Sequence, residues 1–176
     1  MKITGGFLKG RYLKTPKSDA LRPSSDKTRQ AIFSSLGGDI IDAEIADLFC
    51  GTGALGIEAI SRGAKSSLFI DKANSSISIL RKNIETLSLN DHSEIVKMDV
   101  LKIRPSYFSK ISIIFADPPY RKGYCDKLLS LLSLPKFDWH GIITLEHEAD
   151  WNYGADYAIL LNRLEFGDTA VSFLKF

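Results

Sequence analysis

The chain has little of three things that would narrow its chemistry: cysteine, histidine and uninterrupted apolar sequence. Only two cysteines occur in 176 residues, Cys50 and Cys125, with no CxxC spacing, which points to a reduced protein without a disulfide framework. The three histidines, His92, His140 and His147, have no partners at metal-ligand spacing, so no metal site is expected. No apolar run has the length of a signal peptide or a membrane span, and the expectation is a soluble, cytoplasmic, monomeric protein. What is present is an ordinary globular composition, 44% hydrophobic and 25% charged, enough for one domain over 1–176 with its own core.

The net charge of +2 conceals an uneven distribution. Residues 1–30 hold eight Lys or Arg against two Asp, a local charge of +6, so the remainder carries −4. Basicity confined to one end suggests that a polyanion docks there. Residues 2–13, KITGGFLKGRYL, have the glycine spacing of two short strands and a tight turn, a basic ribbon extension over 1–20. Lys9, Arg11, Lys14 and Lys17 are interleaved with Phe7 and Tyr12, the mixture that grips phosphates and stacks bases. The alternative is a charged edge that merely resists aggregation. The core begins at residue 21, where LRPSSDKTRQAIF reads as a helix capped by Ser24, Ser25 or Asp26 and buried through Ile32, Phe33 and Leu36. Arg22, Lys27 and Arg29 would stand at its start, where free N–H groups also favour an anion.

From residue 44 apolar strands alternate with helix-length polar stretches: strands at 45–50, 67–71, 94–98 and 111–116, helices at 54–61 and 75–87. Such alternation predicts an α/β, Rossmann-like, doubly wound parallel sheet whose ligands sit at the carboxyl ends of the strands. The first strand runs into DLFCGTGALG, where Gly51, Gly53 and Gly56 satisfy GxGxxG and present N–H groups, and Asp71 follows at ribose-binding distance. That pattern suits any adenosine-bearing cofactor, a nicotinamide dinucleotide included. Asp47 tilts the choice, because a carboxylate beside the turn opposes a pyrophosphate and favours a ligand carrying an ammonium and a sulfonium, such as S-adenosylmethionine. Asp99 can accept from an adenine amine while the Val100 N–H donates to the ring. Each aspartate alone could equally be an Asx turn.

The strand at 111–116 ends in Asp117-Pro118-Pro119-Tyr120. A base amine is a poor nucleophile because its lone pair is delocalised, and acceptors on its N–H groups localise that pair. The Asp117 carboxylate and the Pro118 carbonyl are such acceptors, Pro119 stiffens the corner, and Tyr120 can stack on an extruded base. Arg121 and Lys122 follow with charges suited to RNA phosphates.

DPPY behind DLFCGTGALGIEAISRGA resembles the class I S-adenosylmethionine-dependent amino methyltransferases. With KITGGFLKGRYL, ALRPSSDKTRQAIFSSL and DPPYRKGYCDKLL, the chain closely resembles, over nearly its whole length, the bacterial 16S ribosomal RNA guanine-N2 methyltransferases that modify a loop guanine in the head of the small subunit. The resemblance implies a seven-stranded sheet, mostly parallel with a reversed last hairpin at 157–164 and 169–176. It implies a base amine held at Asp117 to Tyr120, cofactor held at Asp47, Gly51, Gly53, Asp71 and Asp99, and 16S rRNA in a partly assembled small subunit as partner. Asp71 stands where Glu is common in the family, and Tyr120 where Phe also occurs.

A helix at 123–132 and a strand at 141–145 lead to the acidic group Glu146-His147-Glu148-Ala149-Asp150. Glu146 is either a contact to the guanine ring N–H or a solvated strand end. Cys50, in the cofactor turn, reads as packing rather than as a nucleophile, and Trp139 and Trp151 as core or rim. The competing functions are a DNA adenine-N6 or cytosine-N4 methyltransferase, a protein-glutamine methyltransferase, a dehydrogenase, and a ribosome-assembly binding module without catalysis.

Overall fold

The computed structural model describes residues 1–16, 26–152, 154 and 158–176; Lys17, Arg22 and the cap candidates Ser24 and Ser25 lie outside them. Four helices and seven strands are found among the described residues: α1 (Asp26–Leu36), β1 (Glu44–Leu48), α2 (Ala54–Ser61), β2 (Ser66–Asp71), α3 (Asn74–Thr86), β3 (Ser93–Lys97), β4 (Ile113–Ala116), α4 (Tyr124–Leu132), β5 (Ile142–Glu148), β6 (Ile159–Phe166) and β7 (Thr169–Lys175). The strands form one sheet in the order β3-β2-β1-β4-β5-β7-β6. The first five are parallel and β7 runs antiparallel to both its neighbours, the expected architecture. No described helix is long and apolar enough to cross a membrane.

Sequence and packing agree in the centre of this sheet. The β1 segment EIADL and the β4 segment IIFA are apolar on both sides, as strands covered on two faces must be, and their inner residues are buried throughout. One face packs Leu48, Ile70, Ile114 and Leu145 against Leu128, Leu129 and Trp139. The other packs Ile45 and Phe115 against Ile32, Phe33 and Leu55, and continues as Phe69 against Ile57, Leu80 and Ile84. Chain order reverses between β1 and β4, so the crevice for a ligand opens above their carboxyl ends.

The first strand of the last hairpin lies two residues later than expected, at Ile159–Phe166, while the second starts at Thr169 as expected and ends one residue early, at Lys175; Tyr157 lies outside the described residues. Gly167, at φ 64°, lets a two-residue turn join the paired residues Phe166 and Thr169, so the ladder extends past Leu164. Edge strand β6 exposes Ile159, Leu160 and Leu161, and its register slips between Leu160 and Asn162.

The amino-terminal ribbon is smaller than two strands. Among the described residues it closes through a single bridge between Lys2 and Tyr12, supported by Ile3 N–H to Arg11 O at 2.9 Å. Between them the chain abandons the ladder for the end of α2, where Phe7 N–H donates to Ser61 O at 2.8 Å and Leu8 N–H to Ser61 Oγ at 2.9 Å. Only glycine fits this approach, since Gly6 has φ +75° and a Cβ there would lie 1.7 Å from Ser61 O. Ile3, Leu8 and Leu13 are buried with α2 and α3 residues, so the segment shares the core.

Arg29 departs from its expected role in RNA contact. It is 1% exposed, and its Nε lies 3.2 Å from Glu58 Oε2 while Nη2 reaches Asp26 Oδ1 and Lys2 O, each at 2.7 Å. Glu58, also buried, accepts from Arg62 at 2.8 Å and from Thr4 Oγ1. One helical turn inward from Asp26, the position faces α2, and a guanidinium there is tolerable only because carboxylates and a carbonyl surround it. Removing Arg29 leaves Glu58 with Arg62 and Thr4, so the cost falls short of the roughly 3–5 kcal/mol of a fully stranded buried charge. Arg29→Met should lose about 2 kcal/mol in urea unfolding from the lost pairing of a buried charge, and an unchanged midpoint would contradict the pairing.

Candidate active site

At the carboxyl end of β1 the chain must turn sharply into α2, and its sequence permits this at Phe49, Gly51 and Gly53, all at positive φ. Gly53 has φ 81°, and a Cβ there would lie 2.3 Å from Leu80 Cδ1, so the turn sits directly on α3. The N–H groups of its glycines are not presented to a ligand, contrary to the sequence expectation. Gly51 N–H donates to Asp71 Oδ2 at 3.0 Å, Gly53 N–H to Cys50 O at 2.7 Å, and Gly56 N–H to Asp47 Oδ2 at 2.9 Å. Because the aspartates outcompete any anion for these donors, the turn is a poor phosphate cradle. Its acceptors favour a cation with hydroxyl and amine donors.

Asp47 is buried on β1, and desolvation, opposed by the Gly56 bond and assisted by Asp71, pushes its carboxyl up to about 8. The expected negative charge is therefore held in reserve at neutral pH. Asp71, ending β2, also accepts from Ala73 N–H at 2.8 Å, so it is an Asx turn and a clasp on the glycine turn at once. Asp99 accepts from Leu101 N–H at 3.0 Å and caps the short turn Val100–Lys102, in which Val100 is buried. Asp47 lies near the carboxyl end of β1, Asp71 ends β2 and Asp99 follows β3, and these three strands are consecutive in the sheet.

Asp117 directly follows β4. Burial raises its carboxyl well above the usual range, the Glu146 charge adds to that, and Asp47 contributes a third push. Ala116 pairs with Leu145 and Phe115 with Asp47, so Asp117 lies level with Glu146 on one neighbouring strand and two residues beyond Asp47 on the other. Pro118 is buried and Pro119 exposed. Tyr120 is 37% exposed, with its phenol donating to Glu146 Oε1 at 3.0 Å and lying 3.1 Å from Thr169 Oγ1; burial, then the Glu146 charge, pushes its ionisation upward. Arg121, at φ 56°, donates its N–H to Glu148 and swings its side chain to 3.8 Å from Asp150. Lys122 is exposed beside it.

The basic residues divide. Lys9, Arg11, Lys14 and Lys27 are exposed, as are Phe7 at 70% and Tyr12 at 73%, whereas Arg29 is internal. Cys50 is buried, and burial followed by the Asp47 and Asp71 charges lifts its thiol well above the ordinary value, which removes a thiolate nucleophile. Among the described residues no group of three His, Cys, Asp or Glu side chains could hold a metal. His147 is buried, with its ring nitrogens 2.8 Å from Glu148 O and from Ser172 Oγ.

Three participants carry no sequence signal. Thr169 meets Tyr120 only because β7 returns beside β5. Tyr124 receives Lys72 Nζ at 3.2 Å and packs edge-on to Phe49. Asn83, an unremarkable helix residue, accepts from Lys14 N–H at 2.8 Å and donates to Lys14 O at 3.2 Å and Thr52 O at 3.0 Å, fastening the basic segment to the glycine turn.

Residues 1–175 match the family described as conserved hypothetical protein 95. Ribosomal RNA small subunit methyltransferase D of Escherichia coli (strain K12) is 35% identical over 132 residues, 75% of this chain and 66% of that one. The protein of the same name from Haemophilus influenzae is 31% identical over 157 residues, 85% and 80% of the two chains. The solved structure of yhhF from Escherichia coli superposes with a TM-score of 0.83 at 30% identity, covering 99% of this chain and 97% of that one. The chain thus belongs to the conserved hypothetical protein 95 family and, with its seven-stranded sheet and glycine turn, to the class I S-adenosylmethionine-dependent methyltransferases.

Proposed function

We propose that the chain transfers a methyl group from S-adenosylmethionine to the exocyclic N2 amine of a guanine in small-subunit ribosomal RNA, acting on a partly assembled subunit. The observation that carries this reading is the placing of Asp117 and Asp47 on adjacent strands, close enough that the Asp47 charge acts on the Asp117 carboxyl. A base amine and a cationic donor are the two ligands that such a pair of neighbours suits, and the names of the relatives supply the RNA class.

When bound, S-adenosylmethionine supplies an electrophilic methyl group on a positively charged sulfur. Asp47, Asp71 and Asp99 would hold it: Asp71 through the lone pairs left on its carboxylate oxygens for ribose hydroxyls, Asp99 and the Val100 N–H at the adenine, and Asp47 near the charged end. The fit rests on the donor set described above, in which carboxyl groups line the turn and the glycine N–H groups are spent. At the other side of the crevice the Asp117 carboxylate and the Pro118 carbonyl accept the two amine protons, which localises the nitrogen lone pair. The two prolines keep that carbonyl from turning away, and Tyr120, its phenol tethered, offers a ring face to an extruded base. Rate enhancement then comes from orientation and electrostatics without a covalent intermediate. Lys9, Arg11, Lys14, Lys27, Arg121 and Lys122 are left to meet RNA phosphates, with Phe7 and Tyr12 available for unpaired bases.

Asp117→Ala should abolish formation of N2-methylguanine in rRNA from a strain lacking the protein, with cofactor affinity by calorimetry within a few-fold of wild type; undiminished methylation would refute the role. Reversing charge at Arg11 and Lys14 together should weaken RNA binding and lower the slope of log K against log salt by about two. An unaltered slope would place the RNA face elsewhere. A cation beside Asp47 lowers its raised value of about 8, so cofactor binding should release protons below about pH 8 and tighten as pH rises toward it. Calorimetry in buffers of different ionisation enthalpy measures the release, and Asp47→Asn should remove most of it. For the free protein the sign is opposite: a carboxyl raised from 3.8 to about 8 stabilises the fold most below pH 4 and loses that contribution as pH rises through 8.

A further inference from the structure

Glu146 is the titratable group closest to the amine corner that the transfer itself does not use. The sequence allowed a solvated strand end here, but β5 continues through His147 and Glu148, and Glu146 is only 7% exposed. Burying a carboxylate at a sheet edge is costly, and an aliphatic residue would sit there more cheaply unless the acceptor serves a purpose. Its neighbours are also informative. The Ala116–Leu145 pairing puts Glu146 one strand over from Asp117, about 5 Å across the ladder, and the two carboxyl groups interact strongly enough that Glu146 is the leading charge acting on Asp117. Tyr120, the stacking ring, donates its phenol to Glu146 Oε1, so the base platform and this carboxylate form one unit.

A base held at Asp117 by its exocyclic amine turns the adjoining ring nitrogen toward the next strand. In guanine that nitrogen carries a hydrogen, and the N1–H and the N2 amine form a continuous row of donors. In a base with an amine beside an unprotonated ring nitrogen, such as adenine or cytosine, the row is donor then acceptor. Two adjacent carboxylates accept and cannot donate when ionised, so they complement the first row and repel the second. We infer that Glu146 is the specificity-determining residue of the site, accepting the N1–H of the target guanine while Asp117 and Pro118 hold its N2 amine. Tyr120 contributes by fixing the Glu146 oxygen with which it shares a hydrogen bond, and Thr169 holds the phenol from the other side. The inference rests on the guanine-N2 reading and adds the group that excludes other amines.

The test uses small subunits reconstituted from semisynthetic rRNA carrying either guanine or 2-aminopurine at the modified position, with the methyl position read by mass spectrometry. 2-Aminopurine keeps the amine but presents an unprotonated ring nitrogen. Wild-type protein should prefer guanine by about 100-fold or more in kcat/KM, because with 2-aminopurine an acceptor faces an acceptor. Glu146→Gln, whose amide can donate to that nitrogen, should slow guanine methylation and narrow the preference to within about tenfold. A purely structural Glu146 would lower both rates and leave their ratio unchanged, which overturns the inference. Wild-type protein that methylates both bases equally at N2 overturns it without any variant and leaves the guanine-N2 reading standing. Absence of N2 methylation on guanine by the wild type overturns that reading, and the inference falls with it.

Discussion

Carboxyl groups crowded onto one sheet edge set the terms for this protein. Asp47, Asp117 and Glu146 stand near the carboxyl ends of three neighbouring strands, and the parallel ladder holds them close together. Burial and mutual repulsion together favour protons over charge, so Asp47 and Asp117 are both displaced upward. A site built this way becomes fully charged only when something cationic or rich in N–H groups arrives to compensate it. The ligands thereby assemble the electrostatics that the chemistry requires. The same crowding rejects a pyrophosphate, since the glycine N–H groups that would cradle one are already held by aspartates on β1 and β2 and by the turn's own carbonyl.

Much of the architecture was legible in the chain because parallel strands covered on both faces must read as short apolar runs. EIADL, SSLFID and IIFA can hardly be anything else, and the helix over Ala54–Ser61 follows from the glycines before it. The carboxylates at strand ends could be located for the same reason. What the glycine N–H groups do could not be read, because GxGxxG describes the shape of a turn and says nothing about which acceptor closes on it. Arg29 misled for a related reason: it stands among basic residues at a helix start, and only the arrival of Glu58, 29 residues later, reveals that it points inward. Thr169 and Asn83 depend on contacts across 49 and 69 residues, for which local pattern offers no cue.

The amino-terminal segment illustrates how a charged surface can be attached to a fold without a separate core. Its apolar residues, Ile3, Leu8 and Leu13, point inward to α2 and α3, while Phe7, Lys9, Arg11 and Tyr12 project outward. Alternation of this kind makes the exposed aromatic rings inexpensive to hold, because the buried half of the ribbon supplies the anchoring. Asn83 then links it to Thr52 through one amide. A ligand gripping the ribbon and one resting on the glycine turn would consequently bear on the same side-chain amide.

The slipped register of β6 has a meaning for life in a crowded cell. Ile159, Leu160 and Leu161 make the outermost strand greasy at the very margin where foreign strands could zip on. The irregularity between Leu160 and Asn162 falls among those same residues, so an intruding strand would find its hydrogen-bonding partners out of step within its first few residues. Stickiness and misalignment are thus colocalised, and the margin guards itself against polymerisation without a single proline in the strand.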